Sequence, residues 1–473
     1  MSTIKFGTDG WRAIIAKEFT FDNVALISAG IAKYIKDKSP DNLRLVVGCD
    51  RRFLSKEFAQ EVAMVNAAAG ITVLLADDYA ATPAISFAAK DQNSAGAVMI
   101  TASHNPCIYN GVKFKGNFGG PAPASMTKEI EAHMATVTEE PKDIPRIPLQ
   151  EGIDSGKIIL FDAKTPFINT VKKLVDLDLI RNSGIKIAFD AMHGAGIGYL
   201  DDLLKELSLD VVQVRCDHNP SFGGVSPEPI GKNLQPLLDA VVAEKADIGI
   251  ANDGDADRIG IVDEKGEFVS TQTAISLLLK HLVEDLDMKG KVVKAASTTI
   301  MLNKLCDIYG LELIETPVGF KDVAAEMVKG GVLLGGEESG GYGVDGHIPE
   351  RDGIYIGLVF LQMMAMKKKK LTELVQDLYD KVGFHTYRRI DAHTTEEIKA
   401  RVMDLLKNDP PKDFGGHEVE RIDRLDGVKF YFKDGGWLLI RTSGTEPLLR
   451  IYCEALSVEA VDDILGAAEG LLK

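Results

Sequence analysis

Two tryptophans, five cysteines and an aromatic share of 7% are small for a chain of 473 residues. The cysteines (Cys49, Cys107, Cys216, Cys306, Cys453) are scattered, odd in number and without a CxxC pair. That excludes a disulfide framework and leaves inert thiols in a reducing cytoplasm as the expectation. Long apolar runs are missing too. The most apolar helical stretch, Ile354 to Met366, is too short to span a bilayer and contains Gly357, so it reads as a core helix. Met1 to Arg12 lacks a basic start followed by an apolar run, so no secretory signal is expected. Positive charge is in deficit: 54 basic against 70 acidic residues give a net −16. Such a field repels nucleic acid and anionic membranes, so neither is an expected partner. A phosphorylated substrate would need its cations gathered into one site.

What is present is a soluble globular composition and enough length for three or four domains. Three segments share one plan of apolar strand, helix and apolar strand. The first runs Leu43–Gly48, a helix with Leu54, Phe58, Val62 and Val65, then Ile71–Leu75. The second runs Ile185–Phe189, a helix around Leu203–Leu207, then Val211–Val214. The third runs Val292–Ala295, Ile300–Tyr309, then Leu311–Ile314. Apolar strands bracketing a helix mean parallel βαβ units. The C-terminal portion reads differently, as a helix, a hairpin through Asp434-Gly435-Gly436, another strand and a closing helix. The predicted fold class is α/β: three related mixed α/β domains plus a smaller C-terminal α+β domain, around one central cleft. Boundaries are expected at 1–150, 151–258, 259–378 and 379–473.

Four loops carry candidate chemistry. Thr101-Ala102-Ser103-His104-Asn105-Pro106 follows the strand Val98–Ile100, which puts a hydroxyl where α/β sheets bind ligands. An ordinary polar turn stays open for these six residues alone, while a serine hydrolase lacks its flanking glycines. Asp253-Gly254-Asp255-Ala256-Asp257-Arg258 sets carboxylates on alternate residues of one turn, which repel unless a cation sits among them. Oxygen ligands select Mg²⁺ or Ca²⁺. An EF-hand fails on Arg258 at the glycine position and on flanking strands where helices belong. This loop is expected to line a surface crevice. Gly335 to Gly341 offers Glu337 and Ser339 as acceptors for sugar hydroxyls, with His347 and Arg351 following closely. Arg441-Thr442-Ser443-Gly444-Thr445-Glu446-Pro447, with Arg450 beyond, gathers hydroxyls, backbone N–H groups and guanidinium suited to a phosphate dianion. One such loop per domain implies one cleft and a polar ligand touched by all four.

Together these loops resemble the α-D-phosphohexomutase superfamily over essentially the whole chain. Phe6 to Arg12 resembles its N-terminal signature. The resemblance implies a phosphoglucomutase or phosphomannomutase acting on hexose phosphates. It implies Ser103 as phosphoryl carrier, and Mg²⁺ held by Asp253, Asp255, Asp257 and an oxygen of phospho-Ser103. Arg12 and Arg258 would steady that phosphate, and His104 and Lys113 would assist proton transfer. Glu337 and Ser339 would hold sugar hydroxyls. Arg441, Ser443, Gly444 and Thr445, with Arg450, would grip the phosphate not being transferred. Gly319 and Lys321, past the Thr316-Pro317 step, join the expected substrate-binding set. Glucose 1,6-bisphosphate is the implied intermediate and activator. Where many dual-specificity members carry a His, this chain has Gly341. Glu337-Glu338-Ser339 and His347 to Gly353 are instead similar to phosphoglucomutases, which favours glucose over mannose and makes His347 a stand-in for the missing His.

Overall fold

The computed structural model describes residues 4–7, 10–442 and 448–472. Among them four sheets follow one another along the chain, and one arrangement recurs in the first three. A first strand lies parallel to a second on one side and to a third on the other. The third then turns back into an antiparallel fourth. In the first sheet these strands are Arg44–Cys49, Thr72–Ala76, Gly96–Ile100 and Tyr109–Gly116. In the second they are Ile187–Asp190, Val211–Val214, Ile248–Asn252 and Ile259–Val262. In the third they are Lys291–Ala295, Leu313–Thr316, Val332–Gly336 and Tyr342–Val344. The central parallel strands, such as residues 45–49 and 248–251, read as near-continuous apolar runs because helices cover both faces of their sheets. Ser55–Ala68 buries Phe58, Val62 and Val65, and Met301–Tyr309 stops at Gly310, whose φ of 66° suits a residue without a Cβ.

This repeat decides where chemistry can sit. The loops beginning at 101, 253 and 337 all occupy the same turn, from the third strand into the antiparallel fourth. Each therefore opens at the carboxyl end of a central strand, where the parallel order breaks.

The fourth sheet is wholly antiparallel, ordered Thr386–His393, Leu448–Ala455, Trp437–Thr442, Val428–Phe432, His417–Asp423 and Asp413–Phe414. One face packs Leu438, Ile440, Ile451 and Cys453 with Val402, Leu406, Ile464 and Leu465 of its own helices. The other presses Trp437, Leu439 and Tyr452 against Ala296 of the third domain. Polar bonds cross that seam: Lys429 Nζ donates to Ala296 O at 2.6 Å and to Glu315 at 3.0 Å, and Thr299 Oγ1 to Glu454 at 2.9 Å.

The expected breaks at 150, 258 and 378 fall inside this architecture. Ile158–Phe161 pairs in parallel with Thr72–Ala76 and completes the first sheet. Ile259–Val262 is the fourth strand of the second sheet. Position 378 lies within the helix Leu371–Val382, whose Leu371, Leu374 and Leu378 belong to the same core as the second and third domains. The helix Gly353–Lys367, whose apolar stretch reads as a core helix, buries every residue from Gly353 to Ala365. Among the described residues no helix is long and apolar enough to cross a membrane.

Candidate active site

Ser103 is fully buried and adopts φ 51°, a left-handed backbone uncommon for a side-chain-bearing residue. Strain of this kind persists only where the surroundings over-determine it. Here they do. Ser103 N donates to Thr101 Oγ1 at 2.8 Å, and that hydroxyl donates to Asp50 at 2.6 Å. Arg52, 1% exposed, supplies the rest. It donates to the carbonyls of Asn105 at 2.7 Å, Pro106 at 3.0 Å and Tyr109 at 3.1 Å, to that of Ser103, and to Asp50 at 3.1 Å. Its guanidinium rests 4.8 Å from the Phe222 ring centroid. Sequence reasoning missed Arg52. The signal was there, since Asp50-Arg51-Arg52 leaves the carboxyl end of Arg44–Cys49 beside the serine loop.

The Asp loop approaches from the second domain. Ser103 Oγ donates to Asp253 Oδ2 at 2.9 Å. The approach requires Gly254, because a Cβ there would stand 2.5 Å from the Ser103 carbonyl oxygen. The loop is not the surface crevice expected from sequence. Asp253, Asp255 and Asp257 are all 0% exposed, covered by the first domain. Lys113 Nζ donates to Asp255 at 2.9 Å and to Asp257 at 3.4 Å, and Thr82 Oγ1 to Asp255 at 2.6 Å. Burial, then repulsion from Asp255 and Asp257, pushes the Asp253 carboxyl well up. At Asp255 burial is outweighed by Lys113 and the Thr82 hydroxyl, and the pKa falls.

Arg12 contacts the serine loop and Arg258 the Asp loop. Arg12 Nη1 donates to Asn105 at 2.7 Å, and Arg258 N donates to Asp253 at 3.1 Å. Glu228, 3.9 Å from Arg258, was not anticipated. His104 Nδ1 lies 3.4 Å from Ser103 Oγ. Burial, then Arg258, Arg12, Arg389 and Lys113, pushes this imidazole well below its ordinary range.

In the third domain Glu337 accepts from Ser339 Oγ at 2.6 Å and from Arg351 Nη1 at 2.9 Å, and Arg351 also donates to Asp257. Burial raises the Glu337 pKa, but Arg351 and Arg258 outweigh it and hold the carboxyl low. Arg351 also lies over Phe320, 5.4 Å from the ring centroid. Phe320 opens the helix Phe320–Val328, which Gly319 caps at φ 135° and which carries Lys321 in its first turn.

His347 does not join this group. Its Nε2 pairs with Asp352 at 2.8 Å, and its ring packs on Phe167 and Tyr355. Asp352 caps the helix Gly353–Lys367 through Ile354 N and Tyr355 N, so His347 serves that cap. The place left at Gly341 is taken by Arg351: a Cβ on Gly341 would lie 2.2 Å from Arg351 Cδ. A histidine at 341 and Arg351 as it stands exclude each other sterically.

Arg441 and Arg450 face each other across Trp437–Thr442 and Leu448–Ala455. Arg441 lies 3.1 Å from Asp426, and Arg450 lies 3.8 Å from Asp391. Like charges directly opposite on a sheet repel, an arrangement suited to an anion between them. Ser443, Gly444 and Thr445 lie outside the described residues.

The donor set fits a hard divalent cation. Ligand oxygens of Asp253, Asp255 and Asp257 lie within 4.8 Å of one another, and the buried Oδ1 atoms of Asp255 and Asp257 have no hydrogen-bond partner.

Four stretches match, in chain order, phosphoglucomutase/phosphomannomutase alpha/beta/alpha domain I over residues 3–141, domain II over 165–266, domain III over 271–382 and the C-terminal domain over 397–469. The chain belongs to the phosphoglucomutase/phosphomannomutase family. It is a phosphohexomutase, an intramolecular phosphotransferase. A phosphoglucomutase/phosphomannomutase from Thermococcus kodakarensis is 31% identical over 471 residues, spanning 99% of this chain and 98% of that one. A phosphoglucosamine mutase from Carboxydothermus hydrogenoformans is 29% identical over 481 residues, spanning 98% and 99%. The crystal structure of a Thermus thermophilus protein assigned as a phosphomannomutase superposes with a TM-score of 0.86 at 34% identity, covering 100% and 99%. This mutase therefore shares fold and reaction type with relatives named for different hexoses.

Proposed function

We propose that the chain interconverts hexose 1-phosphate and hexose 6-phosphate, glucose phosphates being favoured, by way of phosphate carried on Ser103 and a bound 1,6-bisphosphate. One observation carries the reading: a buried, conformationally strained serine hydroxyl lies 2.9 Å from a three-carboxylate loop of another domain. Asp253, Asp255 and Asp257, with an oxygen of the phosphoserine, would hold Mg²⁺. When bound, the ion supplies charge neutralisation for the transferring phosphoryl group. Arg12 and Arg258 flank that group with fixed positive charge. His104, whose Nδ1 lies 3.4 Å from Ser103 Oγ, is placed to accept the proton of the attacking sugar hydroxyl. Glu337 and Ser339 bond each other here and would exchange that bond for sugar hydroxyls.

The preference for glucose rests on Gly341 and Arg351. The sterically linked pair replaces the histidine of dual-specificity members with a guanidinium held between Glu337 and Asp257. Parallel assays on glucose, mannose and N-acetylglucosamine 1-phosphates test this, and kcat/KM highest on either of the other two sugars would overturn it. Intact-mass measurement and peptide mapping of active enzyme should find phosphate on Ser103.

Arg441 is expected to bind the phosphate that is not being transferred, because it sits on the fourth sheet while Ser103 and the Asp loop belong to the first two domains. A charge-assisted bond is worth about 1.5–3 kcal/mol, so Arg441→Ala should raise KM roughly ten- to a hundredfold. The bisphosphate should also escape into solution more often. Lost Mg²⁺ binding with unchanged KM would put this arginine at the wrong end of the substrate.

A further inference from the structure

Glu350, one residue before Arg351, is 0% exposed. Its Oε2 accepts from Lys115 Nζ at 2.6 Å and from Ser86 Oγ at 2.9 Å, and its Oε1 accepts from the backbone N–H of Arg351 at 3.1 Å. Lys115 and Ser86 belong to the first domain, on Tyr109–Gly116 and Thr82–Asp91. The two domains are in tight contact there, since a Cβ on Gly120 would come within 2.5 Å of the Pro349 carbonyl oxygen.

Lys113 and Lys115 lie two residues apart on one strand and therefore on one face. Lys113 reaches the Asp loop of the second domain and Lys115 reaches Glu350 of the third. Arg351 closes the circuit by contacting Asp257 and Glu337. Burying an ion pair this completely costs desolvation, and apolar side chains of similar volume are often at least as stable. Stability alone therefore does not account for the pair.

We propose that Glu350 is a positioning residue: anchored by Lys115 and Ser86, it fixes the backbone at Arg351 so that the guanidinium stands between the Asp loop and the Gly335–Gly341 loop. The proposal rests on the placement of Arg351 in the reacting cleft, so Arg351→Ala is measured alongside. Glu350→Gln should lower kcat about ten- to a hundredfold with KM little changed, the scale of an ångström-sized misplacement. On an Arg351→Ala background the same substitution should add less than about twofold, because residues acting through one another are not additive. The pair Lys115→Met with Glu350→Leu should recover the melting temperature without recovering kcat, and it serves the test even where Glu350→Gln does not fold. Turnover returning together with stability in that pair would make Glu350 merely structural. Losses that multiply on the Arg351→Ala background would show that Glu350 acts elsewhere. Normal turnover of Arg351→Ala itself would overturn the placement of Arg351, and this inference with it.

Discussion

Ser103→Ala is expected to reduce mutase turnover by on the order of 10⁴-fold or more while leaving the fold intact, because the carrier of the phosphoryl group is removed from every cycle. The hydroxyl's one close partner in the second domain is Asp253, at 2.9 Å. The loop keeps its shape without it, since Arg52 holds the loop by its carbonyls and Thr101 binds the backbone N–H of residue 103. Melting temperature should therefore change little. Phosphate label from glucose 1,6-bisphosphate should no longer stay with the protein. A folded variant with normal turnover would end the phosphoserine mechanism.

Asp255→Ala is expected to cost about 10³-fold in turnover and most of the Mg²⁺ affinity, and activity should vanish in excess chelator. Its effect on the metal-free fold has a definite sign. Asp255 accepts from Lys113 and Thr82 in a fully buried setting; removing one partner of a buried pair costs about 3–5 kcal/mol when the other is left alone, and somewhat less here because Lys113 keeps Asp257 at 3.4 Å. Relief of repulsion among the carboxylates offsets only part of that, so the melting temperature should fall. Asp253→Asn should do the reverse. The Asp253 carboxylate accepts from the Ser103 hydroxyl and the Arg258 backbone, and burial first and then repulsion from its neighbours push it up, so neutralising it relieves both costs without breaking a hydrogen-bonded ion pair. Thermal unfolding in chelator should rank Asp253→Asn above wild type and Asp255→Ala below. Inversion of that order would mean that Lys113 does not stabilise the loop.

Four loops stood out as candidates because each is a contiguous run of suggestive residue types set after a strand. Three of them occupying one topological position was not legible, because it depends on the antiparallel fourth strand that follows each. Arg52 was passed over because its work is done on carbonyl oxygens, which every residue has. The Lys115–Glu350 pair spans 235 residues, and no local pattern announces a contact of that separation. His347 was misassigned for the opposite reason: it is close in sequence to Arg351, yet Asp352 draws it to the helix cap. The depth of the Asp loop was misjudged because an acidic turn reads as solvated until another domain is seen to cover it.

The strand Ile158–Phe161 determines how this protein can be taken apart. A fragment ending at 150 would strip Thr72–Ala76 of its outer neighbour, turning a row of paired backbone groups beside Val73 and Leu75 into an open edge. Open apolar edges recruit strands from other chains. Such a fragment should aggregate on expression, whereas one carried through Phe161 keeps its short native border and should run as a monomer.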